Sequence, residues 1–203
     1  MAADNVSRRE ICDVNVVNSG RQEAMAWIKE YSLKDVYNLD ETGLFYRMMP
    51  DRSLITADKT KGVKKPKDRI SVMLCSNADG SDKLRPLIIG KVQNPRCFKL
   101  FNPRLYCDYY ANKKAWMVNG ILQEFLTAFN KNMKHENRNV LLLMDNAPSH
   151  IIPPNFTNVT CKFLPPTTTS HLQPMDAGII NAYKAHYRRY VVRFVVDAID
   201  AGR

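Results

Sequence analysis

Apolar and polar positions along this chain follow two different periods, and each change of period marks a predicted element. Short runs rich in apolar and β-branched residues predict strands at 36–48 (interrupted at 42–43), 70–76, 84–92, 140–144 and 159–164. Apolar residues at helical spacing predict helices at 21–31, 119–134 and from 174 to the end of the sequence. A meander of strands followed by strand–helix alternation predicts an α/β fold, with a mixed central β-sheet flanked by helices.

The length of 203 residues suits one domain with a sizeable core, with or without a small appendage. Residues 1–34 are polar and mixed apart from the short amphipathic helix, so we expect them to form a helical N-terminal appendage. Residues 35–203 are expected to form the main domain. Within it, residues 93–114 are rich in Pro, Asn and Tyr, which predicts an irregular connection.

Three aspartates lie at the ends or starts of predicted elements. Asp40 lies in the first strand, Asp145 directly follows the continuous apolar run 140–144, and Asp176 lies in the first turn of the last helix. A carboxylate is unfavourable in such places unless its charge is compensated, and three brought together would repel. A divalent cation is the usual remedy, and carboxylate oxygens without a nearby Cys or His cluster suit Mg²⁺ or Mn²⁺. The three positions therefore predict a metal-dependent site for phosphoryl transfer.

Strand geometry indicates how these carboxylates could meet. Side chains alternate between the two faces of a strand, so Asp40 and Glu41 should point to opposite sides and only one should face the site. Asp145 lies at the carboxyl end of its strand, where open α/β sheets bind their ligands. If the two strands are neighbours, the last helix would bring Asp176 to the same crevice from the side. Each aspartate taken singly is also explained by a turn or a helix start.

The charge of the chain points to a polyanionic partner. There are 30 basic and 20 acidic residues, a formal net charge of +10, which favours nucleic acid first and an acidic membrane surface second. The candidates for phosphate contacts are Lys61, Lys64, Lys65, Lys67, Arg69, Lys184 and Arg188. The alternative to DNA binding is that these residues lie in a solvated loop and on the solvent-exposed face of the last helix.

Cysteine usage and hydropathy exclude other classes of protein. The five cysteines are scattered and contain no Cys-x-x-Cys pair, so neither a disulfide framework nor a zinc knuckle is indicated. No run approaches the roughly 18 apolar residues that a membrane span needs. We therefore expect reduced thiols in an intracellular compartment.

Three segments resemble the signature blocks of the pogo/Tigger transposases, a group within the Tc1/mariner-like DDE superfamily. The segments are LDETG at 39–43, MDNAPSH at 144–150 and HLQPMDAGII at 171–180, and KFLPPTTTS at 162–170 matches the stretch before the third block. Together they extend the resemblance over residues 36–195. Domesticated relatives in this group include centromere-binding protein B and Jerky-like proteins.

The resemblance implies an RNase H-like fold in which Asp40, Asp145 and Asp176 form a catalytic, metal-binding triad. It also implies two Mg²⁺ ions, for which Mn²⁺ can substitute, hydrolysis at transposon ends and attack of the freed 3′-hydroxyl on target DNA. Asn146 and His150 match motif positions and are expected to orient the metal ligands. The implied partner is double-stranded DNA bound by a homodimer in the nucleus, with no membrane and no small-molecule substrate.

Two other functions remain open from the sequence. Such transposases usually carry an amino-terminal helix-turn-helix pair, and the residues before 36 are too few for one, so we expect an excised catalytic domain or a truncated product. A domesticated, catalytically silent DNA- or chromatin-binding protein on the same fold is the first alternative, although all three aspartates are retained. An RNase H-like nuclease acting on RNA–DNA hybrids is the second.

Overall fold

The computed structural model describes residues 14–48, 67–165, 168 and 172–202. Its six strands are β1 (Val36–Leu44), β2 (Ile70–Asn77), β3 (Leu87–Gly90), β4 (Asp108–Ala111), β5 (Val140–Met144) and β6 (Val159–Phe163). They form one sheet in the order β4-β3-β2-β1-β5-β6. The α-helices within these residues are α1 (Val14–Ile28), α2 (Asn119–His135) and α3 (Ile180–Asp200). Each of these helices is too short or too polar to serve as a bilayer-spanning segment.

The predicted α/β class is confirmed, because the sheet is mixed and helices flank it. β1 lies at the centre and pairs antiparallel with β2, which pairs antiparallel with β3. On its other side β1 pairs parallel with β5, which pairs parallel with β6. All five residues of β5 are buried, as expected for a parallel strand that is covered on both faces. This burial explains the continuous apolar run that ends just before Asp145.

Alternation along β1 and β5 creates two apolar layers. On one face, Tyr37 and Leu39 pack with alternate residues of β5 and with the apolar stripe of α2. On the other face, Val36 packs with Leu141 and Leu143 beneath the end of α1. The polar side chains that alternate with Tyr37 and Leu39 along β1 share this second face.

α1 packs closely on the segment that leads into α3. A Cβ atom at Gly20 would lie 2.9 Å from Cγ of Pro165 and 3.0 Å from Cδ1 of Leu172, so a larger residue would force the helix away. The helix begins at Val14, earlier than the predicted start at 21. Residues 1–13 lie outside the described residues, and the predicted division of the chain at residue 34 remains a prediction.

Three elements differ from the sequence prediction. β1 is not interrupted at 42–43, since its ladder with β2 continues through Gly43 opposite Ser71. β4 lies inside the region predicted to be irregular. It forms the edge of the sheet and none of its four residues is fully buried, so it lacks the apolar run that would reveal a strand. The last helix opens with a π-helical turn at Met175–Ile179.

Leu142→Ala tests the buried parallel strand. Leu142 is fully buried in β5, so we expect the substitution to lower the free energy of unfolding by about 2–5 kcal/mol. Leu100→Ala is the matched control, because its side chain is 99% exposed and its loss should change stability by about 0.5 kcal/mol or less. Urea denaturation measures both, and equal effects of the two substitutions would contradict the assigned burial.

Candidate functional site

The predicted aspartates lie at one end of the sheet. Asp40 lies within β1 and is only 7% exposed. Asp145 is the first residue after β5, and the parallel register between β1 and β5 brings it level with Asp40. Asp176 is exposed in the π-helical turn that leads into α3. The charges of both other aspartates act on Asp40, which places all three carboxylates in one region.

Buried hydrogen bonds fix the segments around these aspartates. The Nδ2 atom of Asn38 donates to the main-chain oxygen of Leu143 (3.0 Å), and its Oδ1 accepts from the main-chain N–H of Met175 (2.9 Å). The Nε2 atom of Gln173 donates to the main-chain oxygen of Leu39 (3.2 Å). These bonds tie the end of β5 and the start of the π-helical turn to β1.

Burial raises the pKa of Asp40 from its ordinary value of 3.8 to about 8. The negative charge of Asp176 is the next cause of this rise, and Glu41 and Asp145 add smaller contributions. The main-chain N–H of Glu41 donates to Oδ1 of Asp40 at 2.7 Å and acts in the opposite direction. Three carboxylates therefore act on one buried carboxyl group, and a cation would relieve their repulsion.

His150 links Asp145 to Glu41. Its ring is buried, with Nδ1 lying 3.0 Å from the main-chain oxygen and 2.8 Å from Oδ1 of Asp145. Nε2 lies 3.2 Å from Oε1 of Glu41. Burial alone would lower the pKa of His150, but its contacts with Asp145 and Glu41 raise it to about 10. The imidazolium form places a donor on each ring nitrogen and a positive charge between two carboxylates.

Glu41, Asp145 and His150 form a compact group, in which one ligand atom from each residue lies within 4.8 Å of the others. Asp40 and Asp176 lie outside this group, so the described residues bring the three aspartates to one region without closing them around a single point. The contact of Glu41 with this group was not predicted from the alternation of Asp40 and Glu41 along β1. His150 connects Glu41 to Asp145 from a loop, and strand alternation does not describe loop contacts.

One oxygen of Asp145 is suited to a metal ion. Oδ1 is buried and lies 2.8 Å from Nδ1 of His150, and it has no other polar partner among the described residues. A carboxylate has about four lone-pair sites, so this contact leaves others to which a cation or a water can bind. Together with the carboxylates of Asp40 and Asp176, it provides hard oxygen donors that fit Mg²⁺ or Mn²⁺.

The other predicted site residues fall in three places. Asn146 is exposed in the loop after β5. Lys67 is exposed, and the guanidinium carbon of Arg69 lies 4.9 Å from the ring centre of Trp116. Of the predicted basic site residues, Lys61, Lys64 and Lys65 lie outside the described residues.

Lys184 brings a positive charge to the aspartates. It is half-buried on α3, where burial and then the charge of Arg188 lower its pKa. Asp176 and Asp40 act on the same pKa in the opposite direction. Arg188 is exposed four residues further along α3. Two of the predicted DNA contacts therefore lie on the helix that follows Asp176, and Lys184 is within electrostatic reach of the carboxylates.

A family model described as DDE superfamily endonuclease matches residues 67–203, more than half of the chain. The chain belongs to the DDE superfamily of endonucleases. The matched part of this DDE domain contains Asp145 and Asp176 and begins after Asp40.

Relatives of the DDE domain carry transposon and centromere names. The chain is 33% identical to Tigger transposable element-derived protein 4 of Mus musculus, over 87% of this chain and 34% of the relative. It is 32% identical to CENP-B homolog protein 2 of Schizosaccharomyces pombe (92% and 39%) and 33% identical to Major centromere autoantigen B of Homo sapiens (84% and 28%). The predicted resemblance is confirmed, and the chain spans about a third of the length of these relatives.

The fold of the DDE domain is similar to that of Mos1 transposase. The Mos1 transposase paired-end complex with left transposon end matches with a TM-score of 0.55 and 15% identity, over 100% of this chain and 60% of that chain. The catalytic domain of Mos1 mariner transposase matches with a TM-score of 0.51 and 14% identity, over 100% and 85%. This likeness concerns the fold, and the predicted RNase H-like fold is confirmed.

Asp40→Asn should stabilise the metal-free domain at pH 8. The pKa of Asp40 is 3.8 ordinarily and about 8 in the folded state, so between these values the folded state keeps a proton that the unfolded state has lost. Stability therefore falls as the pH rises through this window, and the neutral, similarly shaped Asn escapes the loss.

Thermal denaturation in EDTA at pH 5 and at pH 8 measures this effect. The advantage of Asp40→Asn over the parent should be larger at pH 8. Asp197→Asn is the control, because Asp197 is exposed on α3 and far in sequence from β1. An advantage of Asp40→Asn that does not grow with pH would show that Asp40 is not a buried, repelled carboxyl group.

Proposed function

We propose that this chain is the catalytic domain of a DDE/D-type transposase, which cleaves DNA strands and joins 3′-hydroxyl ends to target DNA. The observation that supports this most directly is the environment of Asp40, whose pKa is raised by burial and then by the charge of Asp176, with Glu41 and Asp145 adding to it. Carboxylates gathered around a buried partner are expected where divalent cations assist phosphoryl transfer. Membership of the DDE superfamily supports the same chemistry.

Asp40, Asp145 and Asp176 are the residues that would hold the cofactor, two Mg²⁺ ions for which Mn²⁺ can substitute. When bound, such ions polarise the phosphate, activate the attacking water or 3′-hydroxyl and stabilise the leaving oxygen. The place of Asp145 at the end of β5, level with Asp40, supports its assignment as a ligand. Asp176 is exposed, so its carboxylate is accessible from solvent to an ion and to a DNA strand.

The positive groups of the chain would orient the ligands and receive the DNA. The His150 ring holds Asp145 through the main-chain oxygen and is itself held by Glu41. We assign a supporting role in orienting Asp145 to Asn146, the next residue along the chain. Lys184 would bind a phosphate oxygen of the DNA strand beside Asp176, because its positive charge offsets the negative charges of both the carboxylates and the phosphate.

Double-stranded DNA, at transposon ends and at the target, is the proposed partner. The net charge of +10 supports a polyanionic ligand, and the matching Mos1 structures are named as a paired-end complex and a strand transfer complex. We propose a homodimer as the active assembly. We propose the nucleus as its location, in keeping with relatives that are named for the centromere.

Asp145→Ala should abolish Mn²⁺-dependent nicking of supercoiled plasmid DNA, because it removes a carboxylate proposed to bind the ions. Agarose gels measure nicking, and circular dichroism checks that the variant is folded. Asp197→Ala is the matched control, since it removes an exposed aspartate from α3 and should nick as the parent does. If Asp145→Ala nicks at the parent's rate, the proposed chemistry is wrong. Cleavage confined to RNA–DNA hybrids would instead indicate a ribonuclease.

DNA binding without cleavage is the second candidate function. Two relatives, Major centromere autoantigen B and ARS-binding protein 1, carry names that refer to a chromosomal locus or to binding. A catalytically silent protein of this kind would bind duplex DNA but would show neither nicking nor thermal stabilisation by Mg²⁺ or Mn²⁺. The same nicking assay, run beside a metal titration followed by thermal denaturation, separates the two functions.

Lys184→Ala and Arg188→Ala should each weaken binding to duplex DNA. Each proposed phosphate contact releases about one counterion, so each substitution should reduce the slope of log affinity against log salt by about 1. Fluorescence anisotropy over a salt series measures this slope. Lys131→Ala, which removes an exposed lysine of α2, should leave the slope unchanged. A slope that falls equally in all three variants would show that the contact is not localised on α3.

A further inference from the structure

Asn38 is a buried amide whose two ends bind two different segments of the chain. It is only 6% exposed, and it lies two residues before Asp40 on the same face of β1. Its Nδ2 donates to the main-chain oxygen of Leu143, two residues before Asp145. Its Oδ1 accepts from the main-chain N–H of Met175 in the π-helical turn. One side chain therefore joins the three segments that carry the three aspartates.

The partners of Asn38 are main-chain atoms, which fix backbone positions rather than rotamers. A buried amide is satisfied when both its donor and its acceptor are used, and Asn38 meets this condition with one bond on each side. Gln173 provides a second tie between the π-helical turn and β1, through the main-chain oxygen of Leu39. That bond does not reach β5, so among these ties only Asn38 spans all three segments.

An apolar residue would be the ordinary choice for this place on β1. Asn38 shares its face of the sheet with Val36, Leu141 and Leu143, which are buried and apolar. A polar side chain in such surroundings is unfavourable unless its hydrogen bonds are needed. Both of its bonds lead to the flanks of the aspartates, which gives the amide a use beyond packing.

We propose that Asn38 is a positioning residue that sets the spacing of Asp40, Asp145 and Asp176 for metal binding. This inference rests on the proposed function, because it concerns the same carboxylates. Without the amide, the turn that carries Asp176 and the end of β5 lose their common anchor on β1. The separation of Asp176 from the other two carboxylates is then less well fixed, and the ions bind less tightly. Groups that orient metal ligands typically change metal affinity by about 10–100-fold when they are removed.

Asn77 provides a matched control for this proposal. It is a buried asparagine, 5% exposed, on the neighbouring strand β2, where it lies opposite Tyr37 at the end of the β1–β2 ladder. Its Nδ2 donates to the main-chain oxygen of Lys34 and to Oγ of Ser81, and its Oδ1 accepts from the main-chain N–H of Asp82. Its replacement therefore removes a comparable set of buried hydrogen bonds, none of which leads to a segment that carries Asp40, Asp145 or Asp176.

The test measures Mn²⁺ affinity by isothermal titration calorimetry for the parent, Asn38→Ala, Asn38→Ser and Asn77→Ala, with the melting temperature of each. We expect both Asn38 variants to bind Mn²⁺ about 10–100-fold more weakly, with a matching fall in the nicking rate. Asn77→Ala should lower the melting temperature and keep the parent's Mn²⁺ affinity. Asn38→Ser leaves room for a water at the freed groups, so it provides the measurement if Asn38→Ala does not fold.

The outcomes separate this inference from the proposed function. If the parent binds Mn²⁺ and nicks DNA while the Asn38 variants bind Mn²⁺ with the parent's affinity, only the role of Asn38 is wrong. If Asn77→Ala loses as much Mn²⁺ affinity as the Asn38 variants for the same loss of stability, Asn38 has a structural role alone. If the parent neither binds Mn²⁺ nor nicks DNA, the proposed function fails and the positioning role fails with it.

Discussion

The parallel pairing of β1 with β5 is the constraint on which the site depends. Its register runs from Val36 opposite Leu141 to Asn38 opposite Leu143, and the same offset brings Asp40 level with Asp145. A slip of one residue would exchange the two faces of one strand relative to the other, so the apolar layers hold this register. The position of two aspartates is therefore a consequence of core packing. The third is placed by hydrogen bonds from the π-helical turn to β1.

The site carries more negative than positive charge, and this excess of negative charge favours the binding of a cation. Four carboxylates meet one imidazolium and one ammonium group, the residues being Asp40, Glu41, Asp145, Asp176, His150 and Lys184. Burial first, and then this repulsion, raises the pKa of the innermost carboxyl group, Asp40. A divalent cation would reverse this effect, and it would do so at the end of the sheet where a phosphate could also reach it.

Much of the fold could be predicted because buried positions are recognisable in the sequence as apolar runs and periodic apolar patterns. The apolar run that forms β5 lacks alternation because both its faces are covered, and this pattern located Asp145 at a strand end.

The contact of Glu41 with His150 could not be predicted, since it depends on how a loop returns to β1. Asn38 could not be predicted either, because its partners are main-chain atoms 105 and 137 positions away, and main-chain groups leave no mark on composition. β4 was missed because an edge strand needs no apolar run.

The most direct test of the account is anomalous diffraction from crystals of the domain soaked in Mn²⁺. The account predicts two peaks about 3.5–4 Å apart, each with ligand oxygens from the set Asp40, Asp145 and Asp176. A single peak held by Glu41, Asp145 and His150, with Asp40 and Asp176 left unbound, would contradict it. So would a soaked crystal that diffracts well and shows no Mn²⁺ at this end of the sheet.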